Sequence, residues 1–132
     1  MMQNPYEQRL RDRIDRIYPG GFQHLSYIQD FPEDAARRIL EEIIKTGCLS
    51  QNEANITAAR RAISRLPAAW VTARFPDAAA LCLFREPEWR EWEFRRAAEM
   101  LQGRFPESLA WLIGYAGKLN DPEVDEAVSE FL

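Results

Sequence analysis

The sequence has few of the side chains on which common active sites and metal sites depend. Its 132 residues include one histidine, His24, and two cysteines, Cys48 and Cys82. A structural zinc site requires four Cys or His ligands, so this count excludes the classical zinc modules. No Glu-x-x-His pair is present, which excludes the usual di-iron bundle. We therefore expect neither a metal nor a cofactor.

Catalytic chemistry is equally sparse. His24 and Cys48 would form a base and a nucleophile only if the fold brought them together, and no known signature flanks either residue. The sequence therefore predicts a protein that is not an enzyme. A small enzyme that uses His24 and Cys48 is retained as an alternative.

Long apolar runs are also missing. The longest strongly apolar run covers residues 78–84, whereas a membrane span needs about 20 residues. The first five residues lack a basic segment followed by an apolar core, so we expect no signal peptide. Two cysteines without a disulfide framework suit a reducing compartment, and Cys48 and Cys82 are expected as free thiols. These features predict a protein of the bacterial cytoplasm with no membrane partner.

Positive charge is scarce in the second half of the chain. Residues 1–66 carry 10 basic and 9 acidic side chains, whereas residues 67–132 carry 7 basic and 12 acidic ones. Nucleic-acid binding normally requires a basic patch, so nucleic acid is not an expected partner. An acidic end attracts basic proteins, although it is also typical of a solvated helix face. The candidate contact residues there are Asp121, Glu123, Asp125 and Glu126.

Strand signals are absent, and helix signals recur. A proline beside an acidic residue suits a first helical turn, where the missing N–H costs nothing and the acid meets the positive end of the helix dipole. Phe-Pro-Glu occurs at 31–33 and 105–107, Phe-Pro-Asp at 75–77, Glu-Pro-Glu at 86–88 and Asp-Pro-Glu at 121–123. Each motif predicts a helix start. Pro76 is accordingly expected to separate two helices, and the apolar residues 78–84 are expected at the centre of the domain.

These signals predict one all-α domain over residues 1–132, because a chain of this length usually forms a single domain. About seven short antiparallel helices are expected, arranged as an irregular bundle or a HEAT-like stack.

The end of the chain resembles one helix of a HEAT-type repeat. The resemblance depends on Asp121-Pro122-Glu123-Val124, followed by Val128 and Leu132, and it extends over residues 87–132. Asp125 stands where the family usually has a basic residue. HEAT-type repeats stack helix pairs into a curved solenoid and usually bind proteins, so the resemblance implies both properties here.

The segment with the most information about a site is rich in Trp, Arg and Glu. On a helical wheel Trp89 falls on the apolar face and Glu93 points into it. A charge on that face must be paired, which predicts an ion pair between Glu93 and Arg96 and a stack of Arg96 on Trp92. One interpretation is a core helix with an internal ion pair. The other is a partner-contact ridge of Trp92, Arg95 and Arg96, because Trp and Arg dominate interface hot spots.

Two further aromatic residues, Trp111 and Tyr115, lie four residues apart on the next predicted helix and would extend this ridge, or else pack in the core. We predict a non-catalytic protein–protein interaction module whose partner is another protein, with a second copy of the chain also possible. The alternative from the same evidence is an immunity protein that neutralises a toxin through the acidic helical face.

Overall fold

A computed structural model describes residues 5–132, and within this range the chain forms helices and no strand. The α-helices are α1 (Pro5–Ile17), α2 (Glu33–Cys48), α3 (Glu53–Ser64), α4 (Ala68–Cys82), α5 (Arg90–Leu101), α6 (Pro106–Gly117) and α7 (Pro122–Ser129). Two short 3-10 helices, Leu25–Asp30 and Pro87–Trp89, precede α2 and α5. The all-α prediction is confirmed, and seven α-helices in the described range match the expected number.

Helix α2 occupies the centre of the fold. It packs against α1, α3, α4 and α5. Its apolar residues recur at helical spacing, and Ile39, Leu40, Ile43 and Ile44 have no exposed surface. Burying a side chain of this size contributes about 1.5–3 kcal/mol, so this stripe is a major source of stability.

The expected break at Pro76 is wrong, because α4 continues through this proline. A proline inside a helix costs about 3 kcal/mol. The buried side chains Val71, Phe75 and Ala78 continue one helical face across it, and their burial offsets that cost. The Phe-Pro-Asp motif is therefore not a helix start.

The expected core position of residues 78–84 is confirmed for five of the seven residues, since Ala78, Ala79, Cys82, Leu83 and Phe84 are buried in the core, and it is wrong for the other two. Leu81 is 58% exposed and Ala80 is exposed, so the end of α4 has an outer side. Of the remaining proline motifs, those at Pro32, Pro106 and Pro122 do mark helix starts, and the one at Pro87 begins a 3-10 turn that precedes α5.

The second half of the chain packs around α5. Helices α5, α6 and α7 all contact one another, and α6 also packs against α4. The likeness to HEAT-type repeats stays a prediction. None of the helices within residues 5–132 combines the length and the apolar character that crossing a membrane requires.

Candidate functional site: an aromatic cleft beside helix α5

A cleft of about 430 Å³ lies where the ends of α2 and α4 meet the beginning of α5, and we call it the aromatic cleft. Its lining residues come from four parts of the chain: Leu49, Gln51, Cys82, Arg85, Glu86, Trp89, Trp92 and Glu93. Two of these are large apolar side chains that remain substantially exposed, Leu49 at 45% and Trp89 at 46%. Its volume is within the range of small-ligand sites, about 300–1,000 Å³.

A sharp turn at Phe84 positions one wall of the cleft. Phe84 has a φ of 67°, which is a strained conformation for a bulky residue. Two contacts hold it there: its backbone N–H donates to Oε2 of Glu93 at 2.9 Å, and its ring stacks on Tyr115 at 5.8 Å. The turn leads the chain from α4 to α5, with Arg85, Glu86 and Trp89 beside the cleft.

Glu93 is the buried acid of the cleft. Only 4% of its surface is exposed, and it forms no salt bridge within residues 5–132. Burial raises the pKa of the Glu93 carboxyl above its ordinary value, because the charged form loses hydration. The negative charge of nearby Glu86 also raises this pKa. The hydrogen bond from the Phe84 N–H and the positive charge of Arg90 lower it, each by less than burial raises it. The site therefore contains a desolvated carboxyl group without a salt-bridge partner.

The expected partner of Glu93 pairs elsewhere. Arg96 lies 3.2 Å from Oε1 of Glu99, and Arg60 of α3 reaches Oε2 of the same carboxylate at 2.6 Å. The predicted Glu93–Arg96 ion pair is therefore wrong. The predicted stack is confirmed, since the guanidinium of Arg96 lies 4.3 Å from the ring centroid of Trp92. Trp92 is thus held by Arg96 while it lines the cleft.

Arg95 is separate from this pair. It bonds to Glu91 at 2.9 Å and to both carboxylate oxygens of Glu130, so it links α5 to the residue that follows α7. These hydrogen bonds raise the pKa of Arg95 and lower that of Glu130. Of the three residues predicted as a ridge, the structure brings together Trp92 and Arg96 and places Arg95 in a link between helices.

Trp111 and Tyr115 belong to a second aromatic group, which we call the aromatic layer. It consists of Phe75, Trp111, Tyr115 and Phe84 and lies between α4, α6 and the turn after α4. Trp111 stacks on Tyr115 at 5.1 Å and meets Phe75 edge to face at 6.1 Å. Both residues are half-buried against the core, as the packing interpretation expects.

The acidic residues of the last helix have two arrangements. Asp121 caps α7, since its carboxylate accepts a hydrogen bond from the Glu123 N–H at 3.0 Å. Glu123, Asp125 and Glu126 are exposed and form no ion pair within residues 5–132. They form an acidic outer face of α7.

The candidate catalytic pair is not supported by its surroundings. Cys48 is fully buried, and burial first, with Glu93 second, raises the pKa of its thiol, which disfavours the nucleophilic thiolate. His24 is exposed and lies near Tyr27, with the ring centroids 6.5 Å apart.

Cys48 and Cys82 are both free thiols, as expected, and burial raises the pKa of Cys82 to about 11. No cluster of three or more potential metal ligands occurs within residues 5–132.

Comparison with protein-family models, curated proteins and solved structures finds no match to this chain.

Sequence reasoning missed most of the cleft. The helical wheel places Trp89 on the apolar face of a helix, whereas in the structure it lies in the 3-10 turn before α5 and is half-exposed. Glu86 belongs to a motif that predicts only a helix start, and neither it nor Leu49 carries a sequence signal for a binding site. The sequence signal that could have indicated the cleft is the position of Trp89 and Leu49 in connections between α-helices. Apolar side chains in such connections are buried less often than those on a helix face.

Proposed function

We propose that this protein is a non-catalytic protein-binding module that holds a basic partner protein at the aromatic cleft. The observation that carries the proposal is the exposure of Trp89 and Leu49 at the edge of a preformed cleft. Large exposed apolar side chains around a concavity are typical of interaction sites, and tryptophan is among the residues that dominate binding energy.

The charge of the site supports a basic partner. Two acidic residues, Glu86 and Glu93, line the cleft, against one basic residue, Arg85. The whole chain carries a net charge of −4. Charge complementarity of this kind guides association and disfavours acidic partners. The lining also comes from the ends of α2 and α4 as well as from α5, so a partner seated there would contact several elements at once.

The test is site-specific photocross-linking in the native host. A photoreactive amino acid at Gln51, which lines the cleft, should capture one protein that the same group at exposed Gln29 does not capture. The captured protein is then purified, and its Kd is measured against the wild type and Trp89→Ala. We expect Trp89→Ala to weaken binding by about tenfold or more. An unchanged Kd, or capture of only a second copy of this chain, would overturn the proposal.

A second candidate is neutralisation of a toxin through the acidic face of α7. The exposed, unpaired carboxylates of Glu123, Asp125 and Glu126 favour it. If it holds, co-expression should rescue growth from the toxin encoded next to this gene. The triple variant with Glu123→Gln, Asp125→Asn and Glu126→Gln should lose that rescue, and Trp89→Ala should retain it. Absence of rescue by the wild type would end this candidate.

A further inference from the structure

The cleft combines a buried acid with exposed aromatic surface. Glu93 is buried, but it also lines the cleft, and one of its two oxygens accepts the Phe84 N–H. Within residues 5–132 it has no salt-bridge partner, and Arg96, the cation expected to pair with it, bonds to Glu99 instead. A buried carboxylate without an ion pair is costly, and a cation that enters the cleft would reduce that cost.

The aromatic residues suit the same kind of ligand. Trp89 and Trp92 both line the cleft, and Trp92 already holds one guanidinium, that of Arg96, at 4.3 Å. Indole rings attract cations through their quadrupole and also pack against aliphatic chains. Long basic side chains have both parts, a charged end and an apolar stem.

We propose that the aromatic cleft receives one arginine or lysine side chain of the partner, whose charged end pairs with Glu93 and Glu86 while its stem packs against Trp89 and Trp92. This inference rests on the proposed function and names the chemistry that the cleft recognises. Arg85 in the lining and Arg90 beside Glu93 oppose a cation, so the two carboxylates and the two indoles must outweigh them.

The test uses four small compounds that differ in charge. The basic probes are N-acetyl-arginine amide and N-acetyl-lysine amide. Their neutral counterparts are N-acetyl-citrulline amide and N-acetyl-norleucine amide. Binding is followed by NMR through the Phe84 amide and the indole N–H signals of Trp89 and Trp92. A basic probe should shift these signals and saturate at about 1–10 mM, as expected for a ligand of this size. Its neutral counterpart should bind about tenfold more weakly.

Matched variants assign the effect to Glu93. Glu93→Gln retains an oxygen that can accept the Phe84 N–H and removes only the charge, so it should fold and lose about tenfold in affinity for the basic probe. Glu88→Gln changes the net charge equally at an exposed residue that does not line the cleft, and should bind as the wild type does.

Three results would overturn the inference: equal binding of neutral and basic probes, an equal loss in both variants, or no saturable shift with any probe. If any of these results occurs while Trp89→Ala still weakens binding of the captured partner, the protein-binding function stands and only the proposed recognition of a cation fails. If Trp89→Ala leaves the partner's Kd unchanged, the proposed function itself fails.

Discussion

The two aromatic regions on either side of the Phe84 turn differ in how completely their rings are enclosed. In the aromatic layer, Trp111 contacts Phe75 and Tyr115 and is packed against the core. In the aromatic cleft, Trp89 is 46% exposed. Tryptophan therefore contributes to core packing in the aromatic layer, whereas in the aromatic cleft it leaves apolar surface exposed to a ligand.

The largest expected effect tests the packing side of this comparison. Trp111→Ala removes a ring that contacts two others, so it should lower the free energy of unfolding by about 2–4 kcal/mol. Trp89→Ala should lower it by less than about 1 kcal/mol, because much of its side chain is already in water. Urea unfolding measures both. Equal losses in the two variants would contradict the division into layer and cleft.

The next effect tests the hydrogen bond that joins the two regions. Glu93→Ala removes the acceptor of the buried Phe84 N–H, so we expect a loss of about 1–3 kcal/mol in the free energy of unfolding at neutral pH. Glu93→Gln retains an acceptor and should be at least as stable as the wild type. If both variants were equally destabilised, the carboxylate charge rather than the hydrogen bond would be what stabilises the turn.

The helix starts show how much of this fold can be predicted from the sequence. The motifs at Pro32, Pro106 and Pro122 mark them correctly because a helix start is a local event. Pro76 has the same local chemistry and lies inside α4, because the buried face that continues from Val71 to Cys82 is a tertiary effect. The apolar spacing on both sides of Pro76 was the signal that could have corrected the prediction.

The site was less predictable than the fold for a related reason. Helical spacing correctly predicted the stack of Arg96 on Trp92, since both residues lie on one helix. The partner of Glu93 is a backbone N–H nine residues earlier, presented by the turn at Phe84. The identity of such a partner depends on the path of the connection between two helices. Side-chain spacing within α5 carries no information about that path.

A smaller effect concerns the pH dependence of stability and compares two carboxyl groups, Glu93 in the cleft and Glu130 after α7. The pKa of Glu93 is raised by burial, so the folded state binds its proton more tightly than the unfolded state does. The resulting stabilisation is present below the ordinary carboxyl pKa and is lost as pH rises through the raised value. The wild type should therefore gain stability relative to Glu93→Gln as pH falls through this window. Urea unfolding across this pH range measures the difference in free energy of unfolding between the two proteins. A difference that does not change with pH would contradict a raised pKa for Glu93.

Glu130 should behave in the opposite way. Its pKa is lowered, chiefly by the hydrogen bond from Arg95, so its contribution is present above the ordinary carboxyl pKa and is lost as pH falls through the lowered value. An NMR titration of the two carboxyl carbons should place their midpoints on opposite sides of the ordinary value. Midpoints on the same side would contradict the contrast between burial and pairing.

The smallest expected effect is that of the link between α5 and α7. Arg95→Ala removes the contacts to Glu91 and Glu130, but both carboxylates are at least 40% exposed, and ion pairs near the surface add little to global stability. We therefore expect almost no change in urea unfolding and faster hydrogen exchange confined to the amides of α7, since this link is one of the constraints on the end of the chain. High salt should produce the same local change in the wild type, because it screens exposed charges. Faster exchange at the Phe84 amide as well would mean that the Arg95–Glu130 link also stabilises the cleft, so that the cleft and the end of the chain are coupled.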